Sequence, residues 1–471
     1  MSLSPMAKDS FKVLIVGGSI AGLTLAHCLE KLNISYEILE QGRDISPQVG
    51  ASVGILPNGA RVLDQLGIFD EVEEAIEPLT FARIRFPDGG YFHSQYPTVL
   101  RSRFGYPLAF LERQKLLEIL YSKLHGKHLV HTSQHVIRIE DDGHQAIVHT
   151  ADGKAYSGDL VVGADGVHSI VRSEIWRHDS EGIVTEKEKS NLVIDYACIF
   201  GISTAVKGVT AGLQLSLLDH GLTIHVFNGK DSKAFWFVVI KTKRRYAYEE
   251  RPQYTAEEAR KTCESIASKR IDTDLTFGHL WERCQVSTMT PLEEGCFDTW
   301  HGGRMICVGD AVRKVTPNIG QGANMAIEDV AALANALWEQ RKGRHEGSIA
   351  PQKPVEIGAV VQAIRLHRTR SVCRQSEFLT RMQAHDGLLK SLLVRYALPA
   401  LHDIPAGSSA VVLGGAQRLA FVPLPGRAAG RASGWTFVKT LLAAFKPRPR
   451  LVVFLCGFGL VVRAVVSVAS Y

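Results

Sequence analysis

An α/β fold, in which a parallel-sheet domain is interrupted by a β-rich insertion, is predicted for this chain of 471 residues. Three observations predict it. Residues 12–17 (KVLIVG) form a continuous β-branched run that ends in glycine and feeds a helical pattern, as buried parallel strands do. Two more such runs, 159–162 and 304–308, return far along the chain, so the sheet they complete is discontinuous in sequence. Between them, residues 192–240 are strand-like, with few helix signals.

Taken in order, the elements fill this outline. Ile20, Leu23, Leu25, Cys28, Leu29 and Leu32 fall at helical spacing within 19–32, and 35–40 (SYEILE) reads as a second strand. With the first strand they make a β-α-β unit of about thirty residues. Residues 59–66 and 111–124 read as helices, and 80–96 alternates around Pro87-Asp88-Gly89-Gly90 as a hairpin. Short strands at 136–139, 146–150 and 155–157 precede the buried run at 159–162. Helices are predicted over 255–268, 322–340 and 355–384. Residues 1–80, 106–185 and 296–345 are thereby assigned to one domain and 81–105 and 186–295 to the β-rich one. Residues 346–445 form a helical region and 446–471 a tail.

Composition narrows the function classes. Apolar content of 45% and charge of 22% are ordinary globular values, and the length suits two domains. The eight cysteines show no C-x-x-C and no metal-ligand spacing, so reduced thiols and no metal site are expected. The net charge of +6 is local: no acidic residue follows Asp403, and the eight bases beyond it leave 46 basic against 48 acidic residues in the body. No nucleic-acid partner is expected from such a balance. Residues 1–10 lack the apolar core of a secretory leader, which predicts a cytosolic body.

The first strand runs into Gly17-Gly18-Ser19-Ile20-Ala21-Gly22, a G-x-G-x-x-G pattern with Ser19 in place of its second glycine. Gly17 suits the tight turn, Gly22 suits close packing of helix on strand, and Ser19 is small enough for close approach. A pyrophosphate is expected on the helix amino terminus, where free N–H groups and the dipole favour anions. Glu40 ends the second strand eighteen residues after Gly22, the place of a ribose 2′-hydroxyl ligand. A carboxylate there disfavours a 2′-phosphate, so this Rossmann-type site is read as taking FAD or NAD and not NADP.

Two further strings separate FAD from NAD. Residues 159–172 (DLVVGADGVHSIVR) and 304–329 (RMICVGDAVRKVTPNIGQGANMAIED), following the fingerprint in that order, resemble the class A flavoprotein monooxygenases, the group that contains p-hydroxybenzoate hydroxylase. The resemblance covers residues 11 to about 340. It implies FAD as cofactor, NAD(P)H as a co-substrate that docks transiently, and O2 activated on the reduced flavin; no second fingerprint marks a separate NADPH domain. It implies cofactor-binding roles for Gly17, Ser19, Gly22 and Glu40, for Asp165 near the pyrophosphate, and for Asp310 at the ribityl hydroxyls. Gly322 and Ala323 open a helix that is expected to face the flavin N1–C2=O edge, stabilising reduced flavin by roughly 0.3–2 kcal/mol. Gly54, within 50–59 (GASVGILPNG), matches the segment beside the flavin. Arg113 matches a helix-borne arginine that contacts FAD; its plain alternative is a solvated helix arginine. Arg313 stands where many relatives carry histidine, so no role is carried over to it.

More narrowly, residues 50–66, 316–329 and Phe421-Val422-Pro423-Leu424-Pro425 resemble the fungal FAD-dependent epoxidases of indole-diterpene and meroterpenoid pathways. That resemblance implies epoxidation of a prenyl chain on a small hydrophobic substrate, and functional coupling to a membrane terpene cyclase that consumes the epoxide. An alkene needs no base to ionise it, so an apolar pocket is expected. Phe200, Phe227, Phe235, Trp236 and Phe237 are candidates either to line it or to pack the core. Tyr196 is the candidate for a catalytic polar residue, with a plain strand tyrosine as the alternative. Two rival functions remain open: aromatic-ring hydroxylation on the same fold, and a non-catalytic flavin-binding membrane scaffold.

The last expectation is a C-terminal membrane span. Residues 451–470 include twelve Leu, Val or Phe, and twenty residues make about 30 Å of helix. The apolar residues contribute on the order of −4 to −7 kcal/mol, against up to about 3 kcal/mol for Arg463. Lys446, Arg448 and Arg450 precede the segment, which predicts a single span with the flavin domain on the cytosolic side.

Overall fold

The computed structural model describes residues 11–48, 52–179, 182–342, 354–397, 399, 409–410 and 413–427. A six-stranded sheet centres the first domain, in the order His301–Gly302, Met305–Cys307, Leu160–Gly163, Lys12–Val16, Ser35–Leu39, Val130–His131. All neighbours run parallel except the antiparallel edge pair His301–Gly302 and Met305–Cys307. The register Ile15↔Val162 and Val162↔Ile306 brings three segments distant in sequence to a common carboxyl edge.

The central strands Lys12–Val16, Leu160–Gly163 and Met305–Cys307 are apolar runs because both faces are buried. Val13 and Ile15 pack with Leu23 of helix Ile20–Lys31 and with Ile327 and Val330 of helix Gly322–Arg341. Leu14, Val16 and Val161 face the other way, toward Val171 and Ile175 of helix Ile170–Arg177 and the three-stranded sheet of Val136–Asp141, Ala146–Thr150 and Ala155–Gly158.

The second domain is an eight-stranded sheet in the order Arg313–Lys314, Cys284–Cys296, Val193–Ser203, Ala234–Ala247, Leu222–Asn228, Leu213–Asp219, Phe81–Arg85, Tyr91–Ser94. The hairpin predicted over 80–96 is thus its edge, joined in parallel to Leu213–Asp219. Alternation along these strands gives the sheet two faces. Leu215, Leu217, Ile224, Val226, Trp236 and Val238 cluster with Phe277 and Leu280. Tyr196, Cys198, Phe227, Phe235, Phe237 and Val239 cluster with Leu56, Leu108 and Phe110 of the first domain.

A small sheet of Ser52–Ile55, Ala109–Glu112 and Glu77–Pro78 sits at that junction. Residues 111–112 were expected to be helical; the pairing Val53↔Leu111 claims them, and the helix begins at Arg113. Near the C-terminus, Gln65 clamps residues 419–422, donating to Leu419 O (2.8 Å) and Val422 O (2.7 Å) and accepting from Leu419 N (2.9 Å).

The membrane tail in the expected fold class is corrected. Among the described residues, no helix is long and apolar enough to cross a membrane. The two long helices, Gly322–Arg341 and Pro354–Gln383, carry Glu328, Asp329, Arg365 and Arg368, which pair with one another across the helix contact. Residues 446–471, on which the span was predicted, lie outside the described residues, and Arg463 already left their insertion balance narrow. The membrane partner, the coupling to a membrane cyclase, the membrane localisation and the membrane scaffold are withdrawn with the span.

Candidate active site

The site is built where the central strands end. Gly17 follows Lys12–Val16 at φ +102°, and a Cβ there would lie 2.5 Å from Ala164 O. Gly22 lies in the first turns of helix Ile20–Lys31, where a Cβ would fall 2.0 Å from Gly17 O, so the helix meets the strand at a distance only glycine permits. Ser19 is the residue that caps this helix, yet its hydroxyl bonds none of the helix N–H groups; it accepts from Arg113 Nη2 at 2.7 Å. The free N–H groups of the first turn are left for an anion.

Glu40 reaches across the fingerprint loop, its Oε2 accepting from Gly18 N (2.6 Å) and its Oε1 from Gly42 N (2.7 Å). Burial lowers the pKa of Arg113, and the nearby Asp310 and Glu40 carboxylates oppose that shift, which places all three charges in one site. Asp310 follows strand Met305–Cys307 and pairs with Lys314. Burial disfavours the Lys314 charge, but Asp310 and Glu293 together outweigh it and raise the Lys314 pKa.

Asp165 caps a helix start. Its Oδ2 accepts from Ile170 N (2.8 Å) and Val171 N (3.2 Å) at the start of helix Ile170–Arg177, while Oδ1 is buried without a partner. Burial raises its pKa. Within the same motif Arg172 donates to Ala311 O (2.8 Å) and Val167 O (2.8 Å), holding the loop that carries Asp310.

Gly322 and Ala323 open helix Gly322–Arg341, and nothing lies within 4 Å of where a Gly322 Cβ would stand. Asn324, one turn in, donates to Gly54 O (2.8 Å) and Gly320 O (2.7 Å) and accepts from Leu56 N (3.1 Å), so one side chain fixes the Gly54 strand against the helix start. Behind it lies a buried charge cluster. Glu328 meets Arg365, Arg368 and Asn58; Asp329 meets Arg365, Arg313 and the Gly309 N–H. Burial works against the Glu328 charge, but Arg365 and Arg368 hold its carboxyl far below the usual range. Sequence reasoning missed Asn58, Asn324, Glu328 and Arg365. The available signal was polar residues inside the Ala- and Leu-rich stretch 322–340. Arg313, left without a role, belongs to this cluster.

Beside Gly54, where a Cβ would sit 3.1 Å from the Phe110 ring, lies a buried aromatic cluster, whose phenylalanines pack the core at the domain junction. Phe110 stacks on Phe227 with ring centroids 3.8 Å apart, and Phe237 meets Phe110, Phe200 and Phe227 at 5.9, 5.2 and 5.6 Å. Phe235 joins this cluster. Trp236 does not: it faces the opposite side, against Phe277, with Nε1 donating to Ser203 Oγ at 2.8 Å. Tyr196 is fully buried on the aromatic face, and its hydroxyl donates to Asp386 Oδ2 at 3.3 Å, where Lys241 also binds. Burial raises the Tyr196 pKa, so the hydroxyl stays protonated.

These residues fit FAD. Glycines bar side chains from the strand–helix turn, two carboxylates and Arg113 surround one position, and two helix starts are uncapped by side chains. The comparisons with known proteins agree. The family described as FAD binding domain matches residues 10–352. FAD-dependent monooxygenase terM of Tolypocladium album is 60% identical over 95% of this chain and 94% of its own length. FAD-dependent monooxygenase idtM of Claviceps paspali is 49% identical over 94% of this chain and 90% of its own. Among solved structures, Klebsiella pneumoniae HpxO complexed with FAD and uric acid superposes with a TM-score of 0.71 at 19% identity, over 86% of this chain and 97% of that one, a likeness of fold. By family match and by these relatives, the chain belongs to the class A FAD-dependent monooxygenases.

Proposed function

We propose that this FAD- and NAD(P)H-dependent monooxygenase epoxidises the prenyl chain of a terpenoid or meroterpenoid intermediate. One observation supports the choice of substrate: the side chains packed together beside Gly54 are aromatic, Phe110, Phe200, Phe227 and Phe237, with no ionisable group among them. Apolar side chains of this kind bind a branched alkene by burial alone, at about 25 cal/mol per Å² of apolar surface removed from water. Supporting it are the resemblance to fungal epoxidases and the extent of identity to terM and idtM, which spans nearly the whole chain.

When bound, FAD supplies the chemistry, passing electrons from NAD(P)H to O2 and furnishing an electrophilic oxygen. The chain's own residues do the rest. The first turn of Ile20–Lys31, with Arg113 held by Ser19, would hold the pyrophosphate, while Glu40 and Asp310 would take ribose and ribityl hydroxyls. The first turn of Gly322–Arg341, which no side chain caps, would stabilise negative charge on the ring edge. The aromatic cluster beside Gly54 would border the alkene and help keep water from the reacting atoms.

The test is product analysis. Enzyme, NAD(P)H and isotopically labelled O2 are incubated with a prenylated aromatic and, separately, with a simple phenol. An epoxide carrying one labelled oxygen on the prenyl chain is the expected product. Labelled hydroxylation of the ring with an untouched prenyl chain would establish aromatic hydroxylation instead.

A further inference from the structure

The face of the substrate sheet that carries Phe227 also carries a line of polar side chains with no part in the chemistry above. Tyr96 OH donates to Gln214 Oε1. Gln214 Nε2 donates to Ser216 Oγ at 3.2 Å, and Ser216 Oγ lies 2.8 Å from His225 Nδ1. His225 Nε2 lies 3.2 Å from Gln383 Oε1, the same oxygen that accepts from Asn318 Nδ2 at 2.5 Å. Gln214, Ser216 and His225 are all buried.

Donor and acceptor arithmetic gives this line one direction. Gln383 Oε1 only accepts, so the His225 proton sits on Nε2; Nδ1 then accepts from Ser216, whose oxygen accepts from Gln214, whose carbonyl accepts from Tyr96. Burial lowers the His225 pKa to about 4, so the ring stays neutral and this tautomer persists. The line ends on Asn318, in the turn Pro317–Ile319 that leads through Gly320, at φ +62°, into the open first turn of Gly322–Arg341. Thr316 anchors the same loop to the long helix through Ser376, at 2.8 Å, and Thr380. Gln383 is the last residue of that helix and the point at which the sheet, the helix and the flavin loop meet.

We propose that His225 is a positioning residue of the flavin site: through Gln383 and Asn318 it fixes the loop 317–320 against the substrate sheet, and with it the helix start that faces the flavin. This inference rests on FAD binding and is independent of which substrate is oxidised.

The variants follow from the geometry. His225→Phe keeps the ring and removes both bonds, whereas His225→Gln places an amide N–H where Nε2 was and keeps the bond to Gln383. Both are measured as FAD-loaded holoenzyme, by hydrogen–deuterium exchange of the segment 316–321 and by the visible circular dichroism of bound flavin. His225→Phe is expected to raise exchange in that segment about two- to tenfold, the loss of the one buried hydrogen bond, to Gln383, that reaches the loop, and to alter the flavin spectrum; His225→Gln should restore both. Unchanged exchange and spectrum in His225→Phe, or equal damage in the Phe and Gln variants, would overturn the proposal. Should His225→Phe not fold, Asn318→Ala cuts the same link from the loop side. A matching rise in exchange supports the strut, and wild-type exchange refutes it.

Discussion

Replacing Arg365 with methionine probes how the helix proposed to face the flavin is held. Arg365 is fully buried, with Nε on Asp329 Oδ1 at 2.8 Å and Nη1 on Glu328 Oε2 at 2.6 Å. Methionine fills most of the volume and removes both bonds. Glu328 then retains Arg368 and Asn58, and Asp329 retains Arg313 and Gly309 N. Hydrogen bonds to charged groups are worth about 1.5–3 kcal/mol each, and removing one partner of a buried pair costs about 3–5 kcal/mol, so a loss of about 4 kcal/mol is expected. The urea midpoint of the FAD-free protein measures it. Because Asp329 also holds Gly309, next to Asp310, FAD affinity should fall as well. The double variant Arg365→Met/Glu328→Gln should recover part of the stability, since it removes the carboxylate left under-compensated. A loss under about 1 kcal/mol, or a double variant that adds a further full penalty, would refute the reasoning.

The other predictions concern the cofactor site and the polar line. Gly22→Val should purify without flavin, because even a Cβ would stand 2.0 Å from Gly17 O; a folded, yellow variant would count against the fingerprint. Glu40→Ala and Asp310→Ala should each purify with a much lower flavin-to-protein absorbance ratio, having lost a charged acceptor worth roughly 1.5–3 kcal/mol; full occupancy in both would remove these assignments. His225 titrates near 4 when folded against 6.5 ordinarily, so the unfolded chain takes up the proton first as pH falls. Its contribution is complete above pH 6.5 and is lost between 6.5 and about 4, roughly 3 kcal/mol in all. His225→Gln should flatten that limb of stability against pH, and an unchanged slope would contradict it.

What could be read in the sequence was what a short string encodes by itself. The runs at 12–17, 159–162 and 304–308 became neighbours in one parallel sheet, because a strand buried on both faces has no room for polar residues. Gly17 and Gly22 were legible since a missing Cβ is a strong constraint. Pairings between distant residues left weaker traces. Nothing local at 52–55 announces a partner at 109–112, and the helical pattern of 113–122 spreads easily onto the strand before it. Strand Cys284–Cys296 alternates imperfectly, carries Pro291 and stays half-exposed for much of its length, so it gave little signal. Glu328 and Arg365 look like surface charges in sequence; only the contact of two helices 37 residues apart at these positions makes them a buried pair. The tail misled for the converse reason: hydropathy alone was asked to fix a topology that one arginine leaves nearly balanced.

The serine that breaks the glycine pattern is best understood through charge. Glu40 and Asp310 lie near Arg113 and Lys314 around the proposed cofactor position, so the charges of these four side chains cancel. The positive end must come from the backbone, from the first turn of Ile20–Lys31. A serine at the cap of a helix ordinarily bonds one of those N–H groups and spends it. Here Arg113 takes the Ser19 hydroxyl instead, at 2.7 Å, so the N–H groups remain available and a guanidinium is held at the same helix end. A glycine at 19 would free the N–H groups equally well but would give Arg113 nothing to hold. The substitution therefore exchanges closer backbone approach for a fixed cation, which is why Ser19 and Arg113 have to be understood as one device.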